Sequence, residues 1–376
     1  MKSQHWRHLC LIFVLLGVLP GCYDKMYLED ATLTLMLGLD VDEDNRFLVY
    51  ASSPVFNKDA KKKTEEFYDI RPISVRRSKI DFDTISTGIP SAGKIQSILI
   101  GKKLLEQENW FSLLDPLFRN AETTVTSYVI VVDGPVAEIT HFHPEDKPPL
   151  PMLLVKLITS TAHKNATLDT TLQEFHRQMY DKSMTPSLPL LRKDRDLIAM
   201  GAALLNEQGK YVTSLNLQET ILLRILQRDI SHIASYTMTA KELQTGPPNP
   251  IVKSKLSIDI LKSKAHIWTT YQGGKFGFDI RFKMRTRLTE RTFPFRMLAH
   301  EQQLQQQIES ILERDLTALI HKIQKNRIDP FGLGIFAQAY QYHAWKKVQD
   351  DWGKALSEAE IKVTVKMEMT DSGVLQ

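Results

Sequence analysis

Polar and apolar residues alternate most regularly near the C-terminus. Phe276, Phe278, Ile280, Phe282 and Met284 are separated by Gly277, Asp279, Arg281 and Lys283, the period of two that a half-buried strand requires. The stretch 251–268 also reads as β, and Gly273-Gly274 between the two predicts a tight turn. The period then changes. Over about 299–326, Leu304, Ile308, Ile311, Leu312, Leu316, Leu319, Ile320 and Ile323 form one helical apolar stripe. Asp329-Pro330 ends that helix. A second helix is predicted over about 335–356, and Ile361, Val363, Val365, Met367 and Met369 alternate with polar residues as a closing strand. This β-β-α-α-β order predicts a sheet with helices packed on one face, an α+β domain.

The first half of the chain is more mixed. Residues 33–39 and 47–51 predict a hairpin, and 52–91, punctuated by Pro54, Pro72 and Pro90, predicts loops with short strands. Ile95, Ile98, Leu99 and Leu105 predict a helix over 94–108. Residues 128–132 predict a strand covered on both faces and stopped by Asp133-Gly134. Leu172, Phe175 and Met179 predict a helix over 168–180, followed by a Pro-spaced stretch over 185–190 with Pro186 and Pro189. A strand, a turn at Asn206-Glu207-Gln208-Gly209 and a second strand come next, then a helix over 217–226. Gly246-Pro247-Pro248-Asn249-Pro250 predicts a linker, since it neither continues a helix nor joins a central strand.

One apolar run belongs to neither pattern. Residues 9–19 are uninterrupted and apolar, Lys2 and Arg7 precede them, and Leu19-Pro20-Gly21-Cys22 follows. A basic start, a short apolar core and a small residue before the cut have the layout of an export signal. The run is too short to span a bilayer of ~30 Å as a helix. A cysteine just past the cut has the position of the lipid acceptor in a bacterial lipoprotein signal, with cleavage between Gly21 and Cys22. Pro20 stands where such signals carry a smaller residue.

This leader changes the reading of the composition. The chain has two cysteines, and Cys10 would leave with the signal. A lipidated Cys22 then leaves no free thiol, which excludes disulfides, thiolate nucleophiles and cysteine-bound metals. Without Lys2 and Arg7, the 48 basic residues fall by two against 44 acidic ones. So balanced a charge does not argue for nucleic acid. Lys61-Lys62-Lys63 is answered at once by Glu65-Glu66 and reads as a solvated loop.

Candidate chemistry is sparse. His141 and His143, two apart with Glu145 and Asp146 beside them, are the nearest approach to a metal constellation, but a third ligand is not identifiable and exposed loop histidines are the expectation. Gly332-Leu333-Gly334-Ile335-Phe336-Ala337 has the letters of a dinucleotide-binding turn, yet it follows a helix rather than a buried strand and reads as a tight interhelical turn. The serine in Gly88-Ile89-Pro90-Ser91 is one place too far along for a nucleophile elbow. Asn165-Ala166-Thr167 matches a glycosylation acceptor without a role in a bacterial lipoprotein. Arg76-Arg77 and the pair Arg224/Arg228 are expected on solvated faces, with Arg224 and Arg228, four apart on a helix, also placed to meet acidic neighbours. No catalytic residues, cofactor or metal are assigned.

The order of these features resembles the Ger(x)C spore germination lipoproteins, the C subunits of nutrient germinant receptors. Gly21-Cys22-Tyr23-Asp24, Leu37-Gly38-Leu39-Asp40, the stretch 92–101, and Pro189-Leu190-Leu191 leading into Gly201-Ala202-Ala203-Leu204-Leu205 carry the resemblance in the first half. Residues 323–334 are the most specific, with Asp329, Pro330, Phe331, Gly332 and Gly334 as a motif and possible interface, followed by Trp345-Lys346, Trp352 and the closing strand. The resemblance implies a non-catalytic, lipid-anchored subunit on the extracytoplasmic face of the spore inner membrane. Its implied partners are the integral membrane A-type and B-type subunits of a germinant receptor. It also implies a mixed α/β, elongated, multi-domain lipoprotein: signal 1–21, N-terminal α/β domain 22–195, small middle domain 196–246, C-terminal α+β domain 250–371 and tail 372–376. Two other readings are a solute-binding lipoprotein of an uptake transporter and an extracytoplasmic hydrolase. The β-β-α-α-β ending counts against the first, and the absence of an assembled acid/base or metal motif counts against the second.

Overall fold

The computed structural model of the chain describes residue 6 and residues 31–370, apart from 55–64, 87–88, 92, 145, 231, 240–253 and 294–296. Gly21, Cys22, the basic run at 61–63 and the linker at 246–250 lie outside the described residues. In chain order the first half contains β1 (Ala31–Leu33), β2 (Met36–Val41), β3 (Phe47–Pro54), β4 (Glu65–Ile70), α1 (Val75–Asp83), β5 (Ile89–Ser91), β6 (Ser97–Gly101), α2 (Asp115–Arg119), β7 (Tyr128–Val132), α3 (Val136–Thr140), α4 (Leu150–His163), α5 (Leu172–Tyr180), β8 (Ser187–Lys193), β9 (Leu197–Leu205) and β10 (Tyr211–Leu215). The second half contains α6 (Leu217–Gln227), β11 (Ala234–Thr239), β12 (Lys255–Gln272), β13 (Lys275–Arg291), α7 (Met297–Lys325), α8 (Leu333–Tyr340), α9 (Tyr342–Val348), α10 (Trp352–Ser357) and β14 (Glu360–Thr370).

Eight strands form one mixed sheet in the order β10-β9-β8-β7-β6-β2-β3-β4. β8, β7, β6 and β2 are parallel to their neighbours among themselves, and antiparallel strands flank them on both sides. Both faces are covered. Leu99, Ile130 and Val132 pack with Val136, Ile139, Leu154 and Ile158 of α3 and α4, while Ile98, Ile100, Val129 and Val131 pack with Trp110, Leu172 and Phe175 on the other side. This two-sided burial explains a correction. The expected helix over 94–108 is β6, because all five residues of Ser97–Gly101 are buried between the parallel neighbours β2 and β7. A run apolar on both faces mimics helical spacing. Pro189 of the Pro-spaced stretch lies within β8, one residue before the pairing with β7 begins. In the polar stretch 52–91, α1 forms with Ser74 accepting the Arg77 N–H at 3.1 Å as its cap.

The second sheet has the order β11-β12-β13-β14. The β12–β13 hairpin turns at Gly273 and Gly274, both at positive φ (58° and 81°), the backbone that a two-residue hairpin turn needs. β14 returns parallel to β13 after the helical crossover. Phe276, Phe278, Ile280, Phe282 and Met284 face the predicted stripe of α7, and every member of that stripe is buried in the same core. The helix expected over 335–356 is instead broken into α8, α9, a 3-10 turn at Gln349–Asp351 and α10. The two sheets share a core through α6, whose residues from Thr220 to Leu226 are all buried. The segment 196–246, expected as a small middle domain, is divided: β9 and β10 extend the first sheet and β11 edges the second. Its hairpin strands find more partners by joining existing sheets than by standing alone.

Candidate functional site

The segments singled out in the sequence converge on two buried aspartates. Asp40, at the end of β2, accepts the Val41 N–H at 2.9 Å and the Val136 N–H at 2.9 Å. It thereby ties the sheet to the first turn of α3. Gly101 makes this possible, since a Cβ there would fall 2.0 Å from Asp40 Oδ1. Burial pushes the Asp40 pKa up, against the pull of those two N–H groups.

Asp329 is wholly buried and joins the two halves of the molecule. Its Oδ1 accepts the Gly332 N–H at 2.8 Å, and its Oδ2 accepts the Gly334 N–H and the Trp352 indole N–H, each at 2.8 Å. Its backbone exchanges two hydrogen bonds with Thr185: its N–H donates to the Thr185 hydroxyl at 2.9 Å, and its carbonyl accepts the Thr185 N–H at 2.9 Å. Desolvation raises its pKa, opposed by the indole and the N–H groups of the turn. Gly332 takes the left-handed conformation (φ +75°). Gly334 lies so close to the Ser183 backbone that a Cβ would stand 2.3 Å from its carbonyl oxygen. Gln227 of α6 donates to the Pro330 carbonyl at 2.8 Å. The segment from Asp329 to Gly334 is therefore an internal junction, buried throughout, and not an exposed surface for another protein. Its glycines serve a tight turn and close packing, as its position after a helix predicted.

Beside this junction a cleft of about 270 Å³ is lined by α5, α6 and the turn from Pro330 to Ile335. Arg224 forms its wall: it is buried rather than on a solvated face, and it meets acidic neighbours as its place on the helix allowed. Its side chain is 3% exposed and bridges Asp169 at 3.0 Å and Asp229 at 3.1 Å, with Nε donating to the Asp229 carbonyl at 3.2 Å. A signal for this was present: the residues around Arg224 in α6 are apolar on every side of the helix, and a cation inside a fully buried helix must be paired. Arg177, across the cleft, holds Glu174 at 2.7 Å and Asp181 at 3.3 Å. Arg228 lies over the Phe336 ring at 4.5 Å.

The other candidates do not assemble. His141 and His143 are exposed in the turn that follows α3, as expected. The His141 ring contacts Asp69 at 3.1 Å, and the His143 ring lies tilted against Phe67, their centroids 4.1 Å apart. Among the described residues no group of three His, Cys, Asp or Glu side chains is placed to hold a metal. Asn165 and Thr167 are both buried, with Asn165 donating to the His232 carbonyl at 3.1 Å and Thr167 to the Gly201 carbonyl at 2.7 Å. Among the described residues, no helix is long and apolar enough to cross a membrane.

Comparison with known proteins places this architecture. The model of the family described as spore germination protein N-terminal domain matches residues 24–193, and that of spore germination B3/GerAC like, C-terminal, matches residues 200–373. The chain belongs to the GerAC family of spore germination proteins. Relatives in Bacillus subtilis (strain 168) align end to end. Spore germination protein B3 is 23% identical, covering 97% of each chain. Spore germination protein KC is 22% identical, covering 96% of this chain and 94% of that one, and spore germination protein A3 is 23% identical, covering 98% of each. The crystal structure of the GerBC protein shares the fold with a TM-score of 0.58 at 20% identity, over 89% of this chain and 97% of that one.

The two GerAC family models meet inside a single sheet. Their boundary falls between residues 193 and 200, at the turn of the β8–β9 hairpin. The segments that suggested the GerAC family are thus not scattered: Asp40 and Gly101 form one buried joint, and residues 323–334 with Trp352 form the other.

Proposed function

We propose that the chain is the lipid-anchored, non-catalytic subunit of a spore nutrient germinant receptor. In this reading it docks to integral membrane A-type and B-type subunits on the extracytoplasmic side of the spore inner membrane and acts in receptor assembly and germination signalling. The observation that carries it is the match of both GerAC family models, in order, over nearly the whole chain. The internal chemistry supports a scaffold. The carboxylates of Asp40 and Asp329 and the guanidinium of Arg224 are spent on partners within the fold. The sheet topology, one eight-stranded sheet joined to one of four strands, departs from the paired βα lobes of a solute-binding lipoprotein.

The test is genetic. Deletion of the gene should abolish or slow germination with at least one nutrient, and Cys22→Ala should reproduce the defect while releasing the protein from the membrane fraction. Normal germination of the deletion strain with every nutrient tried would overturn the receptor role. A defect in the deletion strain alone would remove only the anchor.

A further inference from the structure

The outer face of the C-terminal sheet, opposite α7, is built against its own stability. Lys262 lies directly across from Arg285, and Lys264 directly across from Lys283. Like charges facing one another across a strand pair destabilise it. Among the described residues, none of these four cations has an ion-pair partner. In the next row Lys366 of β14 lies opposite Lys283 and is paired with Glu309 at 2.9 Å, and Glu368 lies opposite Arg285. Lysines on β12 alone would be explained as protection of an edge, because β11 covers only Lys255 to Ile260 of that strand. β13, however, is central, paired with β12 and β14 along most of its length, so edge protection does not account for Lys283 and Arg285. On the same face, Trp268 is 50% exposed, with the Arg281 guanidinium 4.8 Å from its ring. Asp279, across from Trp268, pairs with Arg281 at 2.6 Å, and Glu368 of β14 lies on the same face, so among the described residues the unpaired charge is the cluster Lys262, Lys264, Lys283 and Arg285. An exposed indole near such a cluster is the composition of a surface that meets lipid headgroups, where the ring lies at the interface and the cations meet anionic lipid.

We propose that this face docks directly onto the surface of an anionic phospholipid bilayer, orienting the protein on the membrane independently of any anchor at Cys22. A second copy of the chain does not fit, because the face would repel itself. The attraction is sequence-independent and weakens as salt shortens the Debye length from ~10 Å at 0.1 M to ~3 Å at 1 M.

The test separates this from the anchor by using the full chain with Cys22→Ser. Its partition onto phosphatidylglycerol–phosphatidylcholine vesicles is compared with that of the same chain carrying K262Q, K264Q, K283Q and R285Q. The parent should bind these vesicles in a salt-sensitive way and bind pure phosphatidylcholine far less. The quadruple variant should bind the anionic vesicles on the order of a thousandfold more weakly. Its thermal midpoint should be unchanged or higher, since repulsion has been removed. Trp268→Ala should weaken binding with little change in salt dependence. Equal binding of parent and quadruple variant to anionic vesicles would overturn the proposal. So would failure of the parent to bind them while it binds polyglutamate, which would assign the face to an acidic protein.

Discussion

Asp329 shows how one side chain specifies a junction. Three N–H donors reach it from a turn and an indole 23 residues away. Asp329→Asn keeps the shape but places an amide NH₂ against one of those donors. A buried donor left unpaired costs about 1–3 kcal/mol. Denaturant unfolding should therefore show a loss of about 2 kcal/mol, and Asp329→Ala should lose more. Unchanged stability in both variants would mean that the carboxylate does not hold the turn. Gly101 and Asp40 follow the same logic in reverse: the glycine leaves the space that the carboxylate occupies.

At the scale of elements, α7 does more than bury its stripe. β14 is an edge strand, and side chains of α7 bond backbone groups in its middle. Glu309 accepts the Met367 N–H at 2.8 Å, Glu313 accepts the Val365 N–H at 2.7 Å, and Gln305 donates to the Met367 carbonyl at 2.8 Å. This occupies the middle of an edge that would otherwise template further strands. Lys366 adds an ion pair to Glu309 at 2.9 Å. Desolvation would raise the Glu309 pKa, but the Met367 N–H, Lys366 and Gln305 outweigh it and hold the carboxyl below its ordinary value of 4.5. With the folded value lowered, the stability from Glu309 is fully present above 4.5 and is lost as pH falls through the folded value. An acid titration of unfolding free energy should thus be flatter below pH 4.5 in Glu309→Gln than in the parent, at the expense of about 2 kcal/mol at neutral pH. An identical acid limb in the two proteins would exclude this role.

α6 is the element that couples the halves. Asn216 and Glu219 cap it reciprocally at 2.9 Å, and Lys322 of α7 reaches the same Glu219 at 2.8 Å. The helix start is thereby held from the second half of the chain while its sides pack on the first.

For the molecule as a whole, the shared core predicts cooperative unfolding of both sheets. Leu223 of α6 is fully buried, and Leu223→Ala should cost about 3–5 kcal/mol. Because α6 packs on both sides, calorimetry should show one transition that moves down as a unit. Two separated transitions, with only one shifted, would show that the halves fold independently.

The hairpin at Gly273-Gly274, the stripe of α7 and the closing strand β14 were legible in the sequence because each buries one face only. One-sided burial writes a period of 2 or 3.6 into neighbouring residues. β6 was not legible, since burial on both faces erases the period. The break of the last helix was hidden too, because it depends on Trp352 reaching Asp329 and on Gly353 lying against the Arg327 carbonyl. Arg224 in α6 and Asp329 in its turn gave their residue types but not their partners. Thr185 stands 144 positions before Asp329, and no local pattern joins them. The sequence alone carried the expectation of a leader ending at Cys22, the order of the hairpin, the long helix and the closing strand in the C-terminal part, and the resemblance to a germination family. Tertiary structure decided that the segment from Asp329 to Gly334 faces inward, that residues 197–215 complete the first sheet, and that four cations share one open face. The physical reason is that periodicity records how a residue meets the core, whereas hydrogen bonds and cross-strand neighbours are set by which distant segments meet.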